Sequence, residues 1–145
     1  MVKIFVEKFG GASVNTAAAV KNVISILKRE SKKRVVVVSA MGKTTNALER
    51  IVNLWHKENR VNEEEYSALL SYHFEIIEGL FEDEEAKDAC KSLVGLIIEE
   101  SRAKLITLNP NDYDFLYDSM VSYGERISTS IISSYMSAIQ YCHKH

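Results

Sequence analysis

Val35-Val36-Val37-Val38-Ser39-Ala40-Met41-Gly42-Lys43-Thr44-Thr45-Asn46 is the stretch that decides the fold. Four β-branched residues in a row predict a strand buried on both faces, as in a parallel sheet covered by helices. A loop of small residues follows, and then Leu48, Ile51, Val52 and Trp55 recur at helical spacing. Upstream the same plan occurs once more. Val2 to Val6 reads as a short strand that Gly10-Gly11 stops, and Ala17, Val20, Ile24 and Leu27 mark an amphipathic helix. Strand, loop, helix, strand, loop, helix is a βαβ unit with a right-handed crossover.

Beyond Arg60 the pattern turns helical throughout. Tyr66, Leu69, Leu70, Ile76, Ile77, Leu80 and Phe81 form one run, and Ala86, Ala89, Leu93, Leu96 and Ile97 form a second. Asn109-Pro110-Asn111-Asp112 is a break with capping residues. The last run carries Phe115, Leu116, Met120 and Tyr123, is interrupted by Gly124, and resumes with Ile127, Ile131 and Tyr135. Two strands and five helical segments make an α/β chain that is helix-rich and poor in sheet. Further parallel strands are expected beyond His145.

The bulk properties set limits. The 145 residues are of one-domain length, 46% apolar and 26% charged, with a net charge of −2. That balance offers no electrostatic case for nucleic acid. Lys28, Arg29, Lys32, Lys33 and Arg34 read as a solvated turn between helix and strand. Cys90 reads as a small core residue, and with Cys142 far from it no disulfide framework is expected. His56, His73, His143 and His145 are scattered. No apolar run reaches the ~20 residues of a membrane span, and nothing resembles a signal peptide, so the expected compartment is the cytoplasm.

Three segments hold residues suited to chemistry. In Lys8-Phe9-Gly10-Gly11-Ala12-Ser13-Val14, adjacent glycines between a strand and a helix let backbone N–H groups approach an anion, and Lys8 adds an ammonium. A plain tight turn beside a surface lysine is the alternative. In the Val35–Asn46 stretch, Ser39 and Thr45 place hydroxyls at the carboxyl end of a strand, where open α/β sheets bind ligands. Simple helix capping by Thr44 or Thr45 is the alternative there. In Asp118-Ser119-Met120-Val121-Ser122-Tyr123-Gly124-Glu125-Arg126-Ile127-Ser128, a mid-helix glycine costs about 1 kcal/mol against alanine and implies a reason. Glu125 beside it could meet a ligand ammonium or merely pair with Arg126.

Together, KFGG-x-S-V, VVVVSAMGKTTN and D-x-x-x-S-x-GE-x-x-S resemble the N-terminal signatures of aspartate kinases, in the amino acid kinase family, in the same order and at similar spacing. Ala12 stands where that family usually has threonine. The resemblance implies a parallel-sheet α/β/α sandwich, of which residues 1–145 would be the N-terminal part of one catalytic domain. It places the nucleotide half and the ACT regulatory domains after His145, which leaves the isolated chain inactive. The implied reaction moves the γ-phosphoryl group of ATP, with Mg2+, to the side-chain carboxylate of L-aspartate, at the entry to lysine, threonine and methionine synthesis. Lys8, Gly10, Gly11 and Ser13 would hold the transferring phosphates. Ser39, Thr45 and Glu125 would hold aspartate, with Glu125 on its ammonium. The full-length protein would be a homo-oligomer with neither nucleic acid nor membrane as partner. A sister kinase acting on glutamate, N-acetylglutamate or carbamate is one alternative, and a non-catalytic helical interaction module is another.

Overall fold

The computed structural model describes residues 3–29 and 33–139. Strand β1 (Phe5–Phe9) leads through a 3-10 turn (Gly11–Val14) into helix α1 (Ala17–Lys28), and the chain returns as β2 (Arg34–Val38). The strands are parallel, with Phe5 opposite Arg34 and Phe9 opposite Val38. Four helices follow: α2 (Thr44–Glu58), α3 (Glu63–Leu80), α4 (Glu84–Leu105) and α5 (Tyr113–Ala138). The βαβ unit and the five helices are those expected from the sequence.

Local chemistry sets the helix starts. Thr16, Asn62, Asp83 and Asp112 each accept a backbone N–H three residues on, capping α1, α3, α4 and α5. Glu63, Glu64 and Glu65 add negative charge to the first turn of α3, where the helix dipole favours it. Asn59, in the left-handed region at φ 48°, ends α2. Pro110 lies in the turn between α4 and α5, where the Trp55 indole N–H donates to the Leu108 carbonyl at 3.2 Å. Gly124 does not interrupt α5, which is one continuous helix of 26 residues.

Helices α2, α3, α4 and α5 close a ring of contacts, each packing on the next and α5 returning to α2. Leu48, Ile51, Ile77, Val94, Leu116, Met120 and Ile127 fill its centre. Helix α1 joins this core through Val20, Val23 and Leu27 and packs on α3. The inward stripe of α4 differs from the expected one. Cys90, Val94, Ile97 and Ile98 are buried, whereas Ala89 and Leu93 face out and Leu96 is 70% exposed. Two apolar registers compete on that helix, and the one containing Val94 and Ile98 wins the contact with its neighbours. Cys90 is buried as expected, and burial pushes its thiol pKa up. Cys142, His143 and His145 lie outside the described residues.

The strands depart from expectation in two ways. Strand β1 runs Phe5–Phe9 rather than through the Val2–Val6 run, of which Val2 lies outside the described residues. Charged residues enter it because each has somewhere to go. Glu7 accepts from Arg34 across the sheet at 3.0 Å, and Lys8 projects to the exposed face. The second departure corrects the reading of β2 as buried on both faces. Only Val36 and Val38 pack toward the core, while Val35 is 51% exposed and Val37 42%. Val6, 70% exposed, continues this bare face on β1. A parallel strand needs helices on both sides to bury both, and the helices here cover one. Val38→Thr is therefore expected to lose about 1–3 kcal/mol by burying a hydroxyl, and Val37→Thr less than ~0.5 kcal/mol. Urea unfolding of the two variants measures this; equal losses would mean that both faces are covered in solution.

Candidate active site

Both strands end at the same edge, and their loops are tied together there. The Ser39 N–H donates to the Phe9 carbonyl and the Gly42 N–H to the Gly11 carbonyl, each at 3.0 Å. At Gly11 the backbones come so close that a Cβ would stand 2.5 Å from the Ala40 carbonyl oxygen. Helix α5 reaches the same point from the other side. A Cβ on Gly124 would lie 2.7 Å from Ala40 Cβ and 3.3 Å from Thr44 Cγ2. Only a residue without a side chain lets α5 cross the loop at this depth. Three segments that are far apart in sequence thus meet around buried Ala40.

Lys8 sits at the carboxyl end of β1, opposite Val37, exposed and with no ion pair to any described residue. Gly10 has open space where a Cβ would be, with nothing within 4 Å. The Ser13 N–H donates to the Gly10 carbonyl at 2.9 Å, and its side chain is exposed. Ser39 and Thr45 are half-buried, one at the end of β2 and one in the first turn of α2. Neither caps α2: its cap residue is Lys43 with no side-chain bond, and the Thr44 hydroxyl lies 2.7 Å from the Met41 carbonyl. Glu125 is exposed and lines a groove with Leu93, Ile97 and Arg126. It is not paired with Arg126, whose guanidinium forks onto Glu100 at 2.9 and 2.8 Å and lies over the Tyr123 ring. That fork holds the Glu100 carboxyl below the usual carboxylate range. The structure therefore brings Lys8, Gly10, Gly11 and Ser39 to one edge, with Thr45 beginning the adjoining helix. Glu125 reaches that edge only through its neighbour Gly124.

Behind the loop, a cavity of about 370 Å3 between α2 and α3 is lined by Gly42, Lys43, Thr44, Leu69 and Tyr72 among others. None of the sequence-derived candidates lines it. Next to it is a residue that the sequence reading passed over. His73 on α3 is fully buried, with Nδ1 2.7 Å from the Leu69 carbonyl and Nε2 3.2 Å from Thr44 Oγ1. The neighbouring Tyr72 donates its hydroxyl to the Asn15 carbonyl at 2.9 Å, bracing the first loop against α3. A histidine among helical apolar positions carries no sequence signal of such a contact. Burial draws the His73 pKa below its ordinary 6.5, against a smaller opposing effect of the Leu69 carbonyl.

The fold thus starts with a βαβ unit whose two adjoining small-residue loops are crossed by the glycine-bearing helix α5. The chain is a member of the amino acid kinase family, whose sequence profile matches residues 3–145. Within that family it is similar to aspartokinases. Aspartokinase 2, chloroplastic, of Arabidopsis thaliana is 35% identical over 140 residues, covering 92% of this chain and 24% of the relative. Bifunctional aspartokinase/homoserine dehydrogenase 2 of Escherichia coli (strain K12) is 28% identical over 129 residues, covering 88% of this chain and 15% of the relative. The crystal structure of E. coli aspartokinase III in complex with lysine and aspartate superposes with a TM-score of 0.74 at 25% identity, over 94% of this chain and 29% of that one. The chain thus spans about a quarter of the length of the Arabidopsis relative.

Packing at the two glycines and the ionisation of His73 can both be measured. Gly11→Ala is expected to cost about 2–3 kcal/mol, since backbone cannot yield to the added methyl. Gly124→Ala gains ~1 kcal/mol in helix propensity but overpacks Ala40, for a net loss of about 1 kcal/mol. Denaturant melts give both values, and a stabilised Gly124→Ala would contradict the close crossing. The lowered pKa of His73 means that the unfolded chain binds the extra proton first as pH falls. Stability should therefore fall on acidification from about 6.5 down to the folded-state pKa, by at most about 1.4 kcal/mol per pH unit. Comparing pH-dependent melts of the wild type and His73→Gln isolates this slope, and identical slopes would contradict a neutral buried His73.

Proposed function

We propose that this chain is the part of an aspartate kinase that cradles the transferring phosphoryl group and holds the amino acid. The observation that carries the reading is the meeting of the Lys8–Ser13 loop, the Ser39–Thr45 loop and Gly124 of α5 around Ala40. Similarity to aspartokinases along nearly the whole chain supports it. A sister kinase for glutamate, N-acetylglutamate or carbamate would share the lysine and glycine pair but not all three segments.

In this reading a side-chain carboxylate oxygen of aspartate attacks the γ-phosphorus of ATP. The new O–P bond gives 4-phospho-L-aspartate, and the bond to the β-phosphate breaks to release ADP. The nucleophile is already ionised, so no base is needed and the protein contributes position and charge. Lys8 neutralises the phosphoryl oxygens, since no described side chain claims its ammonium. Gly10 and Gly11 offer backbone N–H groups, with Ser13 nearby. Ser39 and Thr45 orient the aspartate, and Glu125 takes its ammonium. Among the described residues, no group of three or more His, Cys, Asp or Glu side chains could hold a metal ion. Mg2+ would then arrive with the nucleotide phosphates, and no step is assigned to it here. We place the adenine site outside this chain, the reaction at the entry to lysine, threonine and methionine synthesis, and the protein in the cytoplasm as a homo-oligomer. Among the described residues no helix is long and apolar enough to cross a membrane.

Gly10 separates a phosphate loop from a plain turn. Nothing in the chain occupies the space of its Cβ, and its φ of −76° suits any residue. In the complete gene product, Gly10→Ala should leave the melting temperature unchanged and lower kcat/KM for aspartyl phosphate formation about 100-fold. Lys8→Met should lose about 10²–10³-fold, the scale of one preorganised donor. A hydroxamate assay for the acyl phosphate reads both, and full activity in either variant would reject the phosphate role.

A further inference from the structure

Thr44 stands at the centre of this site without being one of its candidate ligands. Its methyl group faces Gly124 of α5, and its hydroxyl faces His73 of α3. We propose that His73 is a positioning residue: through the Thr44 hydroxyl it holds the Met41–Thr45 turn in the shape that presents Ser39 and Thr45 to the amino acid substrate. The inference rests on the aspartate kinase reading for its catalytic consequence, but not for the contact itself.

Hydrogen bonding fixes the orientation of the His73 ring. The Leu69 carbonyl only accepts, so Nδ1 of His73 must carry hydrogen at their 2.7 Å separation. A neutral ring then leaves Nε2 as an acceptor. Thr44 Oγ1 lies 3.2 Å from it. The same hydroxyl lies 2.7 Å from the Met41 carbonyl, which also accepts the Thr44 N–H at 3.0 Å. At 2.7 Å the hydroxyl donates to the Met41 carbonyl, and the fully buried Nε2 of His73 meets the same hydroxyl at 3.2 Å. A line of polar contacts therefore runs from Leu69 through His73 and Thr44 to Met41. The link joins α3 to a turn that α5 presses on at Gly124. Loosening it frees the segment between Ser39 and Thr45 while leaving Lys8 and Gly10 alone.

The test uses the complete gene product and three variants. His73→Leu deletes both ring contacts, Thr44→Val deletes only the hydroxyl, and His73→Gln keeps a polar group near Nε2. His73→Leu and Thr44→Val are each expected to raise KM for aspartate about tenfold or more, with KM for ATP within about twofold. The double variant should be no worse than the worse single, and His73→Gln should recover most of the loss. Multiplying effects, or a parallel rise in both KM values, would overturn the proposal and leave His73 as a packing residue. Hydrogen exchange decides the contact independently of catalysis. Amides in 41–47 should exchange about tenfold faster in Thr44→Val and His73→Leu, with α4 unchanged, and unchanged exchange would overturn the link. If the wild type forms no aspartyl phosphate, the aspartate kinase reading fails while the exchange result still stands for or against His73.

Discussion

The candidate site depends on close packing around one residue, Ala40. Ala40 is packed so tightly between the first loop and α5 that neither Gly11 nor Gly124 has room for a side chain. Close packing of this kind is rigid, because a protein interior has no slack to absorb an added carbon. The consequence is positional. The carboxyl ends of two strands, the start of α2 and the middle of α5 are held against one another. A site that works by positioning and charge needs this kind of frame.

The sheet is the sparsely covered part of the structure. Two parallel strands covered on one face leave Val6, Val35 and Val37 exposed. The helices are by contrast self-sufficient, since α2 to α5 enclose their own core. This asymmetry accords with a chain spanning about a quarter of the length of the Arabidopsis aspartokinase it matches. It also explains why the valine run read as doubly buried. Four consecutive valines encode a strand sandwiched by helices, whereas the described residues supply helices to one side.

Periodicity and punctuation made most of the architecture legible. The helices of the core announce themselves by spacing, and the Asn109–Asp112 break announces the start of α5. Where two apolar registers overlapped, as on α4, spacing could not choose between Leu93 and Val94. Charged residues hid the true extent of β1, because the Glu7–Arg34 bond that accommodates one of them is a cross-strand fact. The site was legible as three segments but not as an assembly. Gly124 showed that something must come close, and only the fold shows that it is Ala40. His73 gave no sign at all, since its role depends on a turn 29 residues away.

The central claim is that one edge of this fold serves both the phosphates and the amino acid. A crystal structure of the complete gene product with ADP and aspartate bound tests it most directly. The account predicts Lys8 Nζ on a phosphate oxygen, Ser39 on the aspartate carboxylate and Glu125 on its ammonium, each within about 2.6–3.2 Å. Ligands seated elsewhere, or a Glu125 carboxylate still turned into the α4–α5 groove beyond reach of the ammonium, would contradict it.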